Sequence, residues 1–158
     1  MCQGGRVMPV LAVSEAKNKL TSIRREALTG KEFLLSDAKR KEDQPVSLIA
    51  TSLLDELCDE NKTFTYEWTD IPVSGQEYYT LWNHETGVYG AGKTKTEAVE
   101  DYIGNIEEYT DVYFNDLPYY LSPSGNTRSH YWYLRRVARC RGDKDALYKA
   151  LALEEIAD

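Results

Sequence analysis

Three groups of residues in this 158-residue chain have types and spacings that could do chemistry. The first is titratable. His84 stands beside Glu85, and a His–Glu pair can serve acid–base or nucleolytic work; the second histidine, His130, is isolated. His84 falls in a predicted hairpin turn and His130 near a predicted helix start, where polar residues need no catalytic reason. Gly90-Ala91-Gly92-Lys93-Thr94 has the outline of a phosphate loop but lacks the four residues that belong between Gly and Gly-Lys-Thr, so a hairpin-to-helix turn is the better reading. Cys2, Cys58 and Cys140 are scattered and never form a CxxC pair, and no His/Cys/Asp/Glu set has ligand spacing. The expectation is a protein of the cytoplasm that is not an enzyme, with no metal and no cofactor.

The second group is basic: Lys17, Lys19, Arg24 and Arg25, then Lys39, Arg40 and Lys41. Such side chains neutralise phosphates. The formal net charge of −7 argues against a general polyanion binder, but the charge is unevenly spread. Met1 to Lys41 carries nine Lys/Arg against four Asp/Glu, and Asn61 to Asp158 carries ten against sixteen. A basic front and an acidic back suit two different partners, one polyanionic and one basic, although a solvated surface would show the same counts.

The third group is aromatic. Of twelve Tyr, three Trp and three Phe, nearly all lie beyond residue 60. Tyr131-Trp132-Tyr133 sits beside Arg135, Arg136, Arg139 and Arg141. This pattern suits stacking on single-stranded nucleic acid, a protein–protein hot spot, or a core face backed by a solvated basic one. Tyr119 and Tyr120, between Pro118 and Pro123, and Trp132 on the following helix are candidate contacts for a protein partner.

These residues need elements to carry them. Val10–Val13 reads as a strand and Ser14 as the cap of a helix whose apolar stripe is Ala16, Leu20, Ile23, Ala27 and Leu28, ending at Thr29-Gly30. Strands at 32–36 and 44–50 follow, joined by a charged hairpin loop, then a helix opened by Thr51-Ser52. The pattern breaks near Asn61-Lys62-Thr63, which divides the chain into domains 1–60 and 61–158. Beyond it come an alternating strand at 63–69, a turn at Pro72–Gly75, and a hairpin of 77–83 with 87–90. Thr94 to Glu97 has the form of a capping box opening an amphipathic helix with Ala98, Val99, Tyr102, Ile103, Ile106 and Tyr109 on one face. A loop spans Pro118 to Asn126, and helices at 129–140 and 143–156 are split by Gly142. The fold class is α+β: a β-α-β-β-α domain, then a second small α+β domain of a β-hairpin packed with helices.

The strand running into Ser14-Glu15-Ala16-Lys17-Asn18-Lys19-Leu20, followed by Phe33-Leu34-Leu35-Ser36, Pro45-Val46-Ser47-Leu48-Ile49-Ala50 and Ser52-Leu53-Leu54-Asp55-Glu56-Leu57, resembles the Phd/YefM antitoxins over residues 8–60. The resemblance implies a bacterial type II antitoxin: a homodimer that binds operator DNA through its front domain, represses its own operon and neutralises a cognate protein toxin. In that family an arginine in a tight hairpin contacts DNA. Here a longer loop, 37–44, takes its place, and the sequence leaves open whether Lys39, Arg40 or Lys41 does the same work. Lys17 stands where the family often has arginine; lysine neutralises a phosphate but cannot make arginine's two-pronged contact with guanine. The family's register would make Met8 the natural start. The second half resembles HicB-like antitoxin domains in its strands, its Gly-containing turn and the helix from Thr96-Glu97-Ala98, but lacks their Pro-Asp-Leu-Pro-Gly segment. This places toxin binding beyond residue 60. The alternative is a transcriptional regulator with the same DNA-binding domain and a ligand- or partner-sensing second domain.

Overall fold

The computed structural model describes residues 8–37, 39–40, 42–73, 76–140 and 142–156. The chain divides into two compact units, Met1–Leu57 and Cys58–Asp158.

In the first unit β1 (Val10–Ala12) leads directly into α1 (Val13–Ala27), and β2 (Phe33–Ser36) and β3 (Val46–Leu48) follow; α2 (Thr51–Asn61) spans the boundary between the units. The sheet order is β1-β2-β3, with β1 parallel and β3 antiparallel to the central β2. Two parallel neighbours require a crossover, and α1 supplies it. Ser14 does not cap this helix: Ala12 is already the cap residue and has no side-chain bond, because no loop separates β1 from α1. The helix ends as its sequence predicts, with Gly30 at φ +89° in the left-handed region.

Ala16, Ile23 and Ala27 are buried against Phe33, with Leu11, Leu35 and Leu48 beside them. The predicted stripe is only partly used, since Leu20 and Leu28 are 57% and 61% exposed. A helix of this length spans about 22 Å, whereas strands of three or four residues span roughly 10–13 Å. So small a sheet cannot cover the whole helix.

The second unit is a sheet of order β4-β5-β6 with helices on one face: β4 (Tyr66–Val73), β5 (Gln76–Asn83), β6 (Tyr89–Gly92), α3 (Lys95–Asn115), α4 (Leu117–Tyr120), a 3-10 turn (Arg128–His130), α5 (Tyr131–Arg139) and α6 (Lys144–Ala150). Several elements differ from the sequence reading. Pro72 and Val73 belong to β4, a position open to proline because β4 is an edge strand. The third strand lies at 89–92 rather than 87–90, and Pro118 sits in the helical turn α4. The last helix stops at Ala150, because Leu151 and Leu153 must both turn inward to full burial, helped by a positive φ at Ala152.

The β5–β6 turn is built around the fully buried Asn83. Its Oδ1 accepts from the Thr86 N–H (3.0 Å) and hydroxyl (2.6 Å), and its Nδ2 donates to the Thr65 carbonyl (3.1 Å) and the Glu85 carboxylate (2.6 Å). Helix α3 starts at the predicted Thr94 cap, whose Oγ1 accepts from the Glu97 N–H at 3.1 Å; the Glu97 carboxylate accepts from Lys93 N–H at 2.8 Å, one residue before the cap.

The seating of α3 on β6 depends on Gly90 and Gly92. A Cβ on Gly90 would lie 2.1 Å from the Tyr102 nitrogen and 2.3 Å from the Ala98 carbonyl oxygen, and one on Gly92 would lie 2.6 Å from the Ala98 nitrogen. Asp101 and Asn105 of α3 then satisfy β6 on its outer side: Ala91 N–H donates to Asp101 at 2.9 Å, and Asn105 Nδ2 donates to the Tyr89 carbonyl at 2.9 Å. An otherwise open sheet edge is closed in this way. Leu81, Tyr102, Ile106, Tyr113, Leu134, Leu151 and Leu153 form the fully buried centre, and Tyr66 Oη donates to the Leu151 carbonyl at 2.7 Å, tying β4 to the end of the chain.

Gly90→Ala should cost about 3 kcal/mol or more, as an overpacked site that cannot relax, and lower the melting temperature by roughly 10–20 °C. Gly104→Ala, on α3 with nothing within 4 Å of the added methyl, should instead stabilise by about 0.5–1 kcal/mol. Thermal melts of the two full-length variants check this pair.

Candidate functional site

The strand pairing decides which basic residues of the first unit meet. Ala12 lies opposite Ser36 in the parallel β1–β2 pair. The start of α1 and the β2–β3 loop therefore leave the sheet at the same end. Lys17, in the second turn of α1, is nearer that end, which carries Lys39 and Arg40, whereas Lys19 lies near the middle of the helix; all four are exposed. Arg24 and Arg25 are exposed in the last turn of α1, toward the other end. Lys41 lies outside the described residues.

Around α1 the basic residues also spread. Lys17 and Arg24 lie two turns apart on one flank, while Lys19 is on the other flank, paired with Glu15 at 2.9 Å. That carboxylate raises the lysine's pKa, though the exposed pair is screened by water. The loop is shaped by Asp37, whose carboxylate accepts from Lys39 N–H at 2.8 Å and whose carbonyl accepts from Arg40 N–H at 3.3 Å. Both side chains are exposed.

The same unit exposes apolar side chains that the sequence reading placed in its strands and on the inward stripe of α1, among others: Met8, Val10, Val13, Leu20, Leu28, Val46 and Leu57 are each more than 40% exposed. Among the described residues its buried cluster contains two large side chains, Ile23 and Phe33.

In the second unit the three partner candidates separate. Tyr119 is 69% exposed and Trp132 is 39% exposed, its ring edge-on to Tyr131. Tyr120 is half-buried and stacks on the buried Tyr113 at 4.8 Å, so its ring first serves the core. Of the arginines beside Trp132, Arg136 lies over the Phe64 ring at 4.9 Å and donates to the Lys62 carbonyl at 2.7 Å, which anchors α5 to the start of β4. Arg141 lies outside the described residues. One aromatic feature escaped sequence reasoning: Trp82 and Tyr89 stack nearly parallel at 5.7 Å on the face of the sheet opposite Leu81 and Gly90. Alternation along each strand was the available signal, but only the β5–β6 register brings the rings together.

The titratable candidates have structural duties. The Glu85 carboxylate accepts from the Thr65 N–H at 2.9 Å, from the Thr65 hydroxyl and from Asn83, while His84 faces Glu67 at 3.7 Å. His130 Nδ1 lies 2.7 Å from Tyr109 Oη, and burial lowers the imidazole pKa while pushing the phenol up to about 12. A neutral imidazole that accepts from the phenol fits both shifts. Among the described residues no group of three His, Cys, Asp or Glu could hold a metal, and Cys58 is a buried thiol. Cys2 lies outside them. No helix among them is long and apolar enough to cross a membrane.

Comparison with known proteins adds two findings. Residues 8–151 match the model of a PHD-like family, described as the antitoxin of a RelE/RelB toxin–antitoxin system. The match runs through both units. A crystal structure from Syntrophomonas wolfei subsp. wolfei, described as the antitoxin part of a proposed toxin/antitoxin system, is similar at a TM-score of 0.68 and 13% identity, covering 89% of this chain and 94% of that one. At that identity the likeness shows a shared fold. No curated protein matches the chain significantly in sequence.

Two predictions follow from the second unit's geometry. Tyr120→Ala removes a ring stacked on the core and should cost about 3 kcal/mol, whereas Tyr119→Ala should change stability by less than about 0.5 kcal/mol; thermal melts distinguish them. His130, its folded pKa held below the unfolded value of about 6.5, contributes stability that is fully present above that value and is lost as pH falls through the folded pKa. His130→Gln should therefore flatten the decline of melting temperature between pH 7.5 and pH 5.

Proposed function

This chain belongs to the PHD-like family of toxin–antitoxin antitoxins, and on that premise we propose that its first unit binds operator DNA as a homodimer while its second unit neutralises the toxin. The observation that carries the DNA-binding half is that the start of α1, with Lys17 in its second turn, and the loop with Lys39 and Arg40 leave the first sheet at one end, set by the Ala12–Ser36 pairing, with Lys19 further along the helix. Arg24, Arg25 and Lys41 complete the candidate set. In this reading the unit is of the Phd/YefM type, and Lys39 or Arg40 takes the part of that family's hairpin arginine. Phosphate contacts from these side chains hold the protein on DNA and set its register.

A homodimer is favoured by the exposed Val10, Val13, Leu20 and Val46 on a unit whose own core is so small. Small domains with little core commonly complete it by association. Two copies present two basic ends, which fits palindromic half-sites and repression of the antitoxin's own operon.

Toxin neutralisation is assigned to the second unit because that part of the chain has sixteen acidic against ten basic residues, a balance that attracts a basic protein. Exposed Tyr119 and Trp132 are its candidate anchors, with Tyr120 supporting Tyr119 from behind at 5.1 Å. The HicB-like reading of this unit rests on its three-stranded sheet running into a Thr-capped helix.

Two measurements test the reading. Co-expression with the protein encoded by the adjacent gene should restore growth that this protein alone arrests; no rescue by the full chain would overturn the antitoxin assignment. In anisotropy titrations with DNA from upstream of the gene, Lys39→Gln/Arg40→Gln removes four charges from a dimer, and the slope of log K against log salt should shrink by roughly 3–4. An unchanged slope would remove the loop from the interface.

A further inference from the structure

Helix α3 has a side not used by the sheet, and along it a groove of about 510 Å³ opens against α6 and the corner that joins α5 to it. This volume is typical of sites that take a ligand, which run to about 300–1,000 Å³. Ile103 from α3 and Leu147 and Tyr148 from α6 make its apolar lining. Glu100 and Glu107 stand on either side of Ile103 along the same stripe of α3, and Asp143 faces them from the cap of α6. Lys144 is the cation among the described lining residues. Neither Glu100 nor Glu107 is in an ion pair among the described residues.

We infer that this groove binds an arginine or lysine side chain of the partner toxin. The chemistry selects that class of group. Among the described lining residues an anion would meet three carboxylates against one lysine. A purely apolar group would fill the floor but strip water from Glu100 and Glu107 without giving them a partner, which is costly. A long basic side chain meets both demands: its methylene stem lies on Ile103 and Tyr148, and its charged head reaches the carboxylates. The protein source is favoured over a free cation because the same unit carries the acidic excess and the family implies a toxin partner. Opposite charge would then guide encounter, and the groove would fix one residue of the partner. This deepens the antitoxin reading and rests on it.

The groove is tested with N-acetyl-arginine amide, titrated into isotope-labelled full-length protein and followed by NMR. Shifts should centre on Ile103, Leu147 and Tyr148 and saturate in the millimolar range, and Glu100→Gln/Glu107→Gln should weaken binding about tenfold. N-acetyl-norleucine amide, which has a stem and no charge, should leave the groove unmoved. No shift with the arginine compound, or equal shifts with both compounds, overturns the site. The double substitution lies on the groove rim and should keep the melting temperature within a few degrees; if it does not, Glu107→Gln alone is used. The source is tested by co-expression with the adjacent gene's product. Weaker protection by the double variant than by the original chain supports the toxin as occupant. Equal protection, with the arginine compound still bound, overturns that assignment and leaves the groove a site for small cations. If the original chain gives no protection, the antitoxin reading fails, while the titration still decides the groove.

Discussion

The second unit depends on a contact in which two backbones touch. At Gly90 and Gly92 strand β6 lies so close to α3 that a single methyl group at either position would overlap the helix backbone. This proximity sets the depth at which Tyr102 and Ile106 enter the core and lets Asp101 and Asn105 reach the outer edge of β6. Because α3 is twenty-one residues long, its seating also fixes where α5 packs against it, and through α5 where α6 lies. Packed interiors tolerate little adjustment, so a displacement at this contact would spread to the whole unit.

The first unit is organised by connectivity more than by core. Its parallel β1–β2 pair demands a crossover helix, and the absence of any loop between β1 and α1 places the helix start at the sheet end where β2 also finishes. Basic residues far apart in sequence are collected there. The cost is a sheet too short to cover its helix, leaving aliphatic side chains in water.

Local signals were read well from the chain, and their limits are physical. The β-α-β-β-α order, the left-handed Gly30, the Thr94 cap and the inward face of α3 all follow from hydrogen bonds and periodicities that span a few residues. Ser14 does not act as a cap because the helix already begins at Val13, which puts Ser14 inside its first turn. The last helix was drawn too long because Leu151 and Leu153 continue an apolar pattern that the core satisfies by a turn instead.

What the sequence determined by itself, then, was the kind and order of elements and the uneven distribution of charge, since each is set by neighbours along the chain. Tertiary structure decided which distant residues meet. Only strand pairing puts the start of α1 at the end of the sheet that holds Lys39 and Arg40, or stacks Trp82 on Tyr89. Only packing makes Tyr120 a support and leaves Tyr119 free, and only the meeting of α3 with α6 sets Glu100 and Glu107 across from Asp143. Register and packing are properties of pairs of elements, and the residues that determine them, such as Gly90 against Tyr102, carry no local sign of their partner.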